Sequence, residues 1–364
     1  MRVRRDRRTS RVASVCFGLS ALIASLAITG GLSLALAACG APPPDAPRRP
    51  SAESLVVREP APMSTWACAQ GSEREGNAIL RGGDIVTLGP GVVRSIAPGA
   101  DHCHEQPLPC GVDLHVVASR PLALANPHLG YAALVDLSAA PVVVDTVRLP
   151  GPDERALVLR GYRSQPLIVS TLALYLRSPA GVWARTPLAQ TFDPPSVVAA
   201  VSGDTVFLGG RWRGNLHSLR LDAGEWTFEQ SGATTALEVS DTPGCIFAAH
   251  WGYFRLVGDV VHLCRAPNRA TARVLAAPAE RTRALLTIRG TLFATPDLPV
   301  LHDLGSANVA SLPATVDKRC DGDVEVAHFE SGVVRVHTGK PSSNQRRGGH
   351  VTLLNSRTKE PDLP

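Results

Sequence analysis

Hydrophobic and polar positions are distributed in two different ways along this 364-residue chain. The first is a single uncharged apolar run from Val12 to Ala38, 27 residues long, preceded by Arg2, Arg4, Arg5, Arg7, Arg8 and Arg11. Beyond it, helical periodicity is almost absent. Short β-rich runs recur instead, such as Asp84–Leu88, Val112–Ala118, Ala156–Arg160, Thr205–Leu208 and Gly332–His337, separated by Gly, Pro, Asp or Asn. Proline falls between the runs and rarely inside them, as strands require. The pattern predicts an all-β domain behind an apolar leader.

The runs carry a long-range repeat. Leu176-Arg177 and Ala180-Gly181-Val182-Trp183 recur 43 residues later as Leu219-Arg220 and Ala223-Gly224-Glu225-Trp226. The same offset leads forward to Pro267-Asn268 and back to Ala139-Ala140-Pro141, with weaker turns at Pro98-Gly99 and Gly305-Ser306. A period of this size fits one four-stranded propeller blade. Between Trp66 and Lys340, one blade per 41 to 44 residues gives six or seven blades; the alternative is an irregular β-sandwich. Phe207-Leu208-Gly209-Gly210, followed by Leu219 and Trp226, resembles a kelch repeat, in which a diglycine ends one strand and a tryptophan begins another. That resemblance implies packing roles: tryptophan filling the gap between blades and glycine allowing close strand approach.

The leader ends in Leu36-Ala37-Ala38-Cys39, small residues before a cysteine. With the basic start and the apolar run, this resembles the signal peptide and lipobox of a bacterial lipoprotein. The resemblance implies cleavage before Cys39, lipidation of its thiol including palmitate-type acyl chains, and anchoring in the cell envelope. Gly40 in place of aspartate points to the outer membrane, facing the periplasm or the surface. An uncleaved N-terminal helix is the alternative, since the run is long enough to span a bilayer. Gly30-Gly31, Ser33 and the terminal alanines weaken it. Arg7-Arg8 is followed by Thr9-Ser10-Arg11 and not by the apolar residues of a twin-arginine signal.

The leader also explains the charge. It holds six arginines and one aspartate, so the formal net charge of +5 belongs to it, and 31 basic and 31 acidic residues remain. A neutral domain has no electrostatic footprint for nucleic acid. The expected organisation is a signal peptide over 1–38, a proline-rich tether over 39–65, a propeller-like domain over 66–340 and a polar tail over 341–364.

Six cysteines follow Cys39, an even number in an exported chain, which predicts disulfides. The expected pairs are Cys103–Cys110, Cys245–Cys264 and Cys68–Cys320. Asp101-His102-Cys103-His104-Glu105 is the densest group of ligand types, making His102 and His104 weak metal candidates; pairing of the neighbouring cysteines is the favoured reading. His250-Trp251-Gly252-Tyr253 and Arg211-Trp212-Arg213 form a possible binding face for a glycan or an anionic partner. Asp84, Asp113, Asp136, Asp222 and Asp241 read as carboxylates scattered at strand ends and turns.

There is no nucleophile elbow beyond the leader, no His-Glu-x-x-His, no haem-attachment motif and no phosphate-binding glycine loop. No cofactor is expected, and no catalytic residue stands out. The expected function is a lipid-anchored propeller that binds an envelope protein or glycan. Two alternatives are an extracytoplasmic hydrolase or lyase acting on polysaccharide through a central funnel, and an outer-membrane assembly or structural factor.

Overall fold

The structure is a computed structural model that describes residues 2–5, 62–68, 77–128, 130–151, 153–188, 197–210, 216–220, 224–229, 232–252, 258–276, 281–296, 298–305, 311–312, 314–339 and 349–357. The apolar run, Cys39 and most of the tether lie outside the described residues.

Strands dominate. Seven sheets, six of four strands and one of five, form the seven blades of a β-propeller, which excludes the sandwich alternative. Blades 1 to 6 begin with the strands Ile79–Arg81, Gly111–Val117, Ala156–Tyr162, Val197–Ser202, Gly232–Val239 and Ala284–Ile288. These first strands line a central cavity, and each blade then runs outward through three more strands. Arg2–Arg5 adds a fifth strand to blade 4, beside its outermost strand Gly224–Glu229.

The 43-residue offset has a simple structural origin. Ala139-Ala140-Pro141, Ala180-Gly181 and Pro267-Asn268 each join the third strand of a blade to its fourth, and Pro98-Gly99 does the same in blade 1. Gly305 lies in the equivalent connection of blade 6.

Blade 7 breaks the pattern. Its strands are Thr315–Arg319, Val324–His328, Val333–Thr338 and His350–Asn355, and it is threaded inward, with the last of these lining the central cavity. The stretch read as a polar tail from 341 therefore contains an innermost strand, and a domain boundary at 340 cuts through a blade.

Why the runs are apolar on both sides is clear from the packing. A separate hydrophobic cluster fills each of the seven gaps between neighbouring blades. In blade 3, Ile168 and Tyr175 face blade 2, while Leu167, Val169 and Leu174 face blade 4. Alternate residues thus serve different cores, and no face is left for water. Trp183 lies in the gap between blades 2 and 3 and donates its indole N–H to Asp145 Oδ2 at 3.3 Å. Gly209 permits the closest approach: a Cβ there would stand 2.7 Å from Thr234 Cβ of blade 5.

Among the described residues there are three disulfides, Cys68–Cys110, Cys103–Cys320 and Cys245–Cys264. The third is as expected and the other two correct the expected pairing. Cys103 and Cys110 flank the outermost strand of blade 1, His104–Pro107. A strand rises about 3.3 Å per residue, so it carries them apart, beyond the reach of roughly 7 Å between Cα atoms that a disulfide allows. Cys110, fully buried where blade 2 begins, pairs instead with Cys68 ahead of blade 1 at a Cα separation of 5.1 Å. Cys103 joins Cys320 of blade 7 at 5.3 Å. A covalent staple does span the closure of the ring, from Cys103 and not from Cys68.

Candidate functional site

The first strands of blades 2, 3 and 5 share an irregularity. Each carries one extra residue against its partner strand: Val112, Leu157 and Thr235. Such bulges re-aim the side chains that follow them. Counting three residues on from each gives His115, Arg160 and Glu238, all of which line the central cavity. Equivalent positions on equivalent strands thus bring an imidazole, a guanidinium and a carboxylate to one level of the channel. The cavity measures about 350 Å³ and receives residues from every blade.

Asp113 organises one side of it. Its Oδ1 accepts a hydrogen bond from Asn77 Nδ2 at 2.9 Å, and its Oδ2 accepts from Leu159 N and Arg160 Nη1, both at 2.9 Å. Arg160 Nε donates to Ala199 O at 2.8 Å. This chain of contacts ties blades 1, 2, 3 and 4 together at the hub. Burial pushes the Asp113 carboxyl upward, while Arg160 and the backbone N–H groups of Leu159 and Leu114 pull against it.

His115 and Glu238 are less well supplied with partners. Burial, reinforced by the Arg160 charge, pushes His115 down to about 3, so its ring is neutral. Burial pushes Glu238 up to about 7, and a single hydrogen bond from Thr287 N at 3.0 Å to its Oε1 opposes that rise. A neutral imidazole can donate or accept a hydrogen bond, and a carboxyl that titrates near neutrality can donate or accept a proton. Together with Arg160 they offer both signs of charge to a small polar molecule.

The residues singled out from sequence have other placements. His102 and His104 are exposed, and the thiols beside them are committed to Cys320 and Cys68, so no metal-ligand cluster forms there among the described residues. His250 is half-buried in the second strand of blade 5, opposite Thr234 and Asp259, and does not line the cavity. Burial pushes its ring downward, against the nearby Asp259 charge. Trp251 belongs to the same strand, while Tyr253, Arg211, Trp212 and Arg213 lie outside the described residues. The chain does leave the second strands of blades 4 and 5, at Gly210 and Gly252, on the same face of the ring, because the two blades are threaded alike. Asp84 and Asp136 are engaged by Ser95 and by Arg120 respectively.

Sequence reasoning missed His115, Arg160 and Glu238 as site residues and read Asp113 as one of several scattered carboxylates. A usable signal existed. Each is an ionisable residue inside a first strand whose other positions are mostly apolar, and an ionisable group in such a buried strand is uncommon.

No family model and no curated protein sequence matches the chain. Solved structures do share its fold. Virginiamycin B lyase from Staphylococcus aureus superposes with a TM-score of 0.52 at 11% identity, over 72% of this chain and 93% of the lyase. A catalytically inactive variant of that enzyme, crystallised with quinupristin, gives 0.51 at 11% identity over 73% of this chain and 95% of its own. A streptogramin B lyase gives 0.50 at 9% identity, over 73% and 93%. At this level of identity the likeness establishes a shared propeller fold.

Proposed function

We propose that the protein is a lipid-anchored cell-envelope β-propeller that binds a small polar ligand in its axial cavity. The observation that carries this reading is the convergence of His115, Arg160 and Glu238 on one level of the channel. Ligand sites are concave, with a few placed polar groups on mostly apolar walls, and span about 300–1,000 Å³. At about 350 Å³ this cavity suits a ligand the size of a monosaccharide or amino acid, and not a polymer. The envelope location rests on the lipobox-like Leu36-Ala37-Ala38-Cys39, and the proline-rich segment would hold the ring off the bilayer. If the leader is removed, blade 4 loses its fifth strand and all seven blades become four-stranded. Kelch-like character is supported in blade 4 alone, where Gly209-Gly210 ends the second strand.

The test is a panel of monosaccharides, amino acids and polyamines, screened by thermal shift against the wild type and against Arg160→Met and Glu238→Gln. A ligand of this site raises the melting temperature of the wild type and fails to do so in at least one variant. No stabilising compound, or equal stabilisation in all three proteins, refutes the axial site. Membrane fractionation of Cys39→Ser, with intact mass, tests the anchor separately: the variant moves to the soluble fraction if lipid holds the protein.

A second reading is favoured by one observation. A carboxyl poised near neutrality at the level of a neutral imidazole is suited to acid–base chemistry. An extracytoplasmic hydrolase or lyase would show turnover of the bound compound, abolished by Glu238→Gln while binding persists.

A further inference from the structure

The only group among the described residues whose ligand atoms are close enough to share a metal ion lies in blade 5, outside the axial cavity. Cys245 begins the second strand and Cys264 stands directly opposite on the third, with Cα atoms 4.1 Å apart and their sulfurs bonded. His262 precedes Cys264 by two positions and so shares its face of the strand. Its Nε2 lies 3.8 Å from Cys264 Sγ and 3.3 Å from Ser240 Oγ. The imidazole nitrogen and both sulfurs all fall within 4.8 Å of one another.

These separations match a coordination sphere. Metal–sulfur and metal–nitrogen bonds of about 2.3 and 2.0–2.1 Å place sulfur and nitrogen ligands about 3.6 Å apart on a tetrahedral ion, and two sulfurs about 3.8 Å apart. His262 and Cys264 already stand at that spacing. The two sulfurs need only part from bonding distance, which side-chain rotation provides without moving either strand.

We propose that reduction of Cys245–Cys264 converts this end of blade 5 into a binding site for a thiolate-seeking divalent cation of the zinc type. The ligands are the two thiolates and His262 Nε2, with water in a fourth position. The redox step needs a dithiol donor. The donor gives two electrons and two protons to the disulfide and is itself oxidised to a disulfide, leaving Cys245 and Cys264 as thiols. Cation binding then releases those two protons. Transfer of the two electrons back to a disulfide acceptor, which is reduced to a dithiol, re-forms the Cys245–Cys264 bond, removes both sulfur ligands and expels the ion. The site differs from His102 and His104 because its cysteines are paired with each other, so a single reduction frees both.

The experiment uses the full chain. A dithiol is added in steps, and alkylation with peptide mass mapping scores each cysteine while circular dichroism follows the fold. The partly reduced protein is then freed of dithiol and titrated without air with zinc(II) and with cobalt(II). The expected result is that Cys245 and Cys264 become alkylatable while Cys103–Cys320 stays closed and the fold persists. One cation then binds per chain, with the cobalt form showing thiolate-to-metal absorption, and the oxidised protein binds none. His262→Ala should weaken binding by at least about tenfold. His262→Asn should show the same loss and serves if the alanine variant does not fold. The proposal is overturned if the disulfide opens only on unfolding, if the reduced protein takes up no stoichiometric cation, if the cobalt form lacks thiolate absorption, or if both His262 variants bind like the wild type.

Discussion

His115 and Glu238 titrate in opposite senses, and their effects on stability should cancel over a defined pH window. His115 falls from 6.5 to about 3 in the folded chain. Below pH 6.5 the unfolded chain therefore takes up a proton that the folded chain refuses, and stability falls with falling pH by up to about 1.4 kcal/mol per unit. Glu238 rises from 4.5 to about 7. The folded chain there keeps a proton that the unfolded chain has released, so this contribution is full below pH 4.5 and is lost as pH rises toward 7, again by up to about 1.4 kcal/mol per unit. Between pH 4.5 and 6.5 the two slopes oppose each other. The perturbations are Glu238→Gln and His115→Gln, read by urea unfolding at pH 4.5, 5.5 and 6.5. Relative to the wild type, Glu238→Gln should lose up to about 2.7 kcal/mol on going from pH 6.5 to 4.5, and His115→Gln should gain a similar amount. Carboxylates elsewhere contribute equally to all three proteins and drop out of the differences. Variants that track the wild type within about 0.5 kcal/mol, or that deviate in the same direction, would refute the assignment of these groups to a desolvated hub.

Loop closure ranks the disulfides. For separations of 217, 42 and 19 residues, chain entropy gives Cys103–Cys320, Cys68–Cys110 and Cys245–Cys264 about 5.4, 3.9 and 3.2 kcal/mol. Paired Cys→Ala variants in denaturant should follow that order, and a larger loss from Cys245→Ala/Cys264→Ala than from Cys103→Ala/Cys320→Ala would contradict it. Gly209→Val should cost about 1–3 kcal/mol in urea unfolding, because its side chain enters the contact with Thr234; an unchanged midpoint would mean that blades 4 and 5 separate freely. Asp113→Ala leaves the Arg160 guanidinium without its carboxylate and should lose about 3–5 kcal/mol, much of it recovered in Asp113→Ala/Arg160→Met. A double variant as unstable as the single one would show that Asp113 acts through Asn77 and Leu159 instead.

The blades could be read from the chain because their turns repeat. Gly, Pro and Asn recur at the connection between third and fourth strands, and turn chemistry is local. The direction of blade 7 could not be read, because its runs look like any others and radial order is set by which neighbours they pack against. The pairing of Cys103 and Cys110 with distant partners was hidden for a related reason: seven residues in sequence say nothing of the extended strand between them. Asp113 passed for a rim carboxylate because the extra residues at Val112, Leu157 and Thr235 reveal themselves only in the register of paired strands.

The inward threading of blade 7 bears on how the molecule comes into being. The hub position between blades 6 and 1 is filled by His350–Asn355, which the ribosome makes after every other blade strand. Until that segment arrives, the wheel has a missing spoke, with the clusters that Leu353 and Leu354 complete still wet. A chain that folds from its amino end would therefore keep an open hub through six blades, and would lock only once His350–Asn355 has arrived.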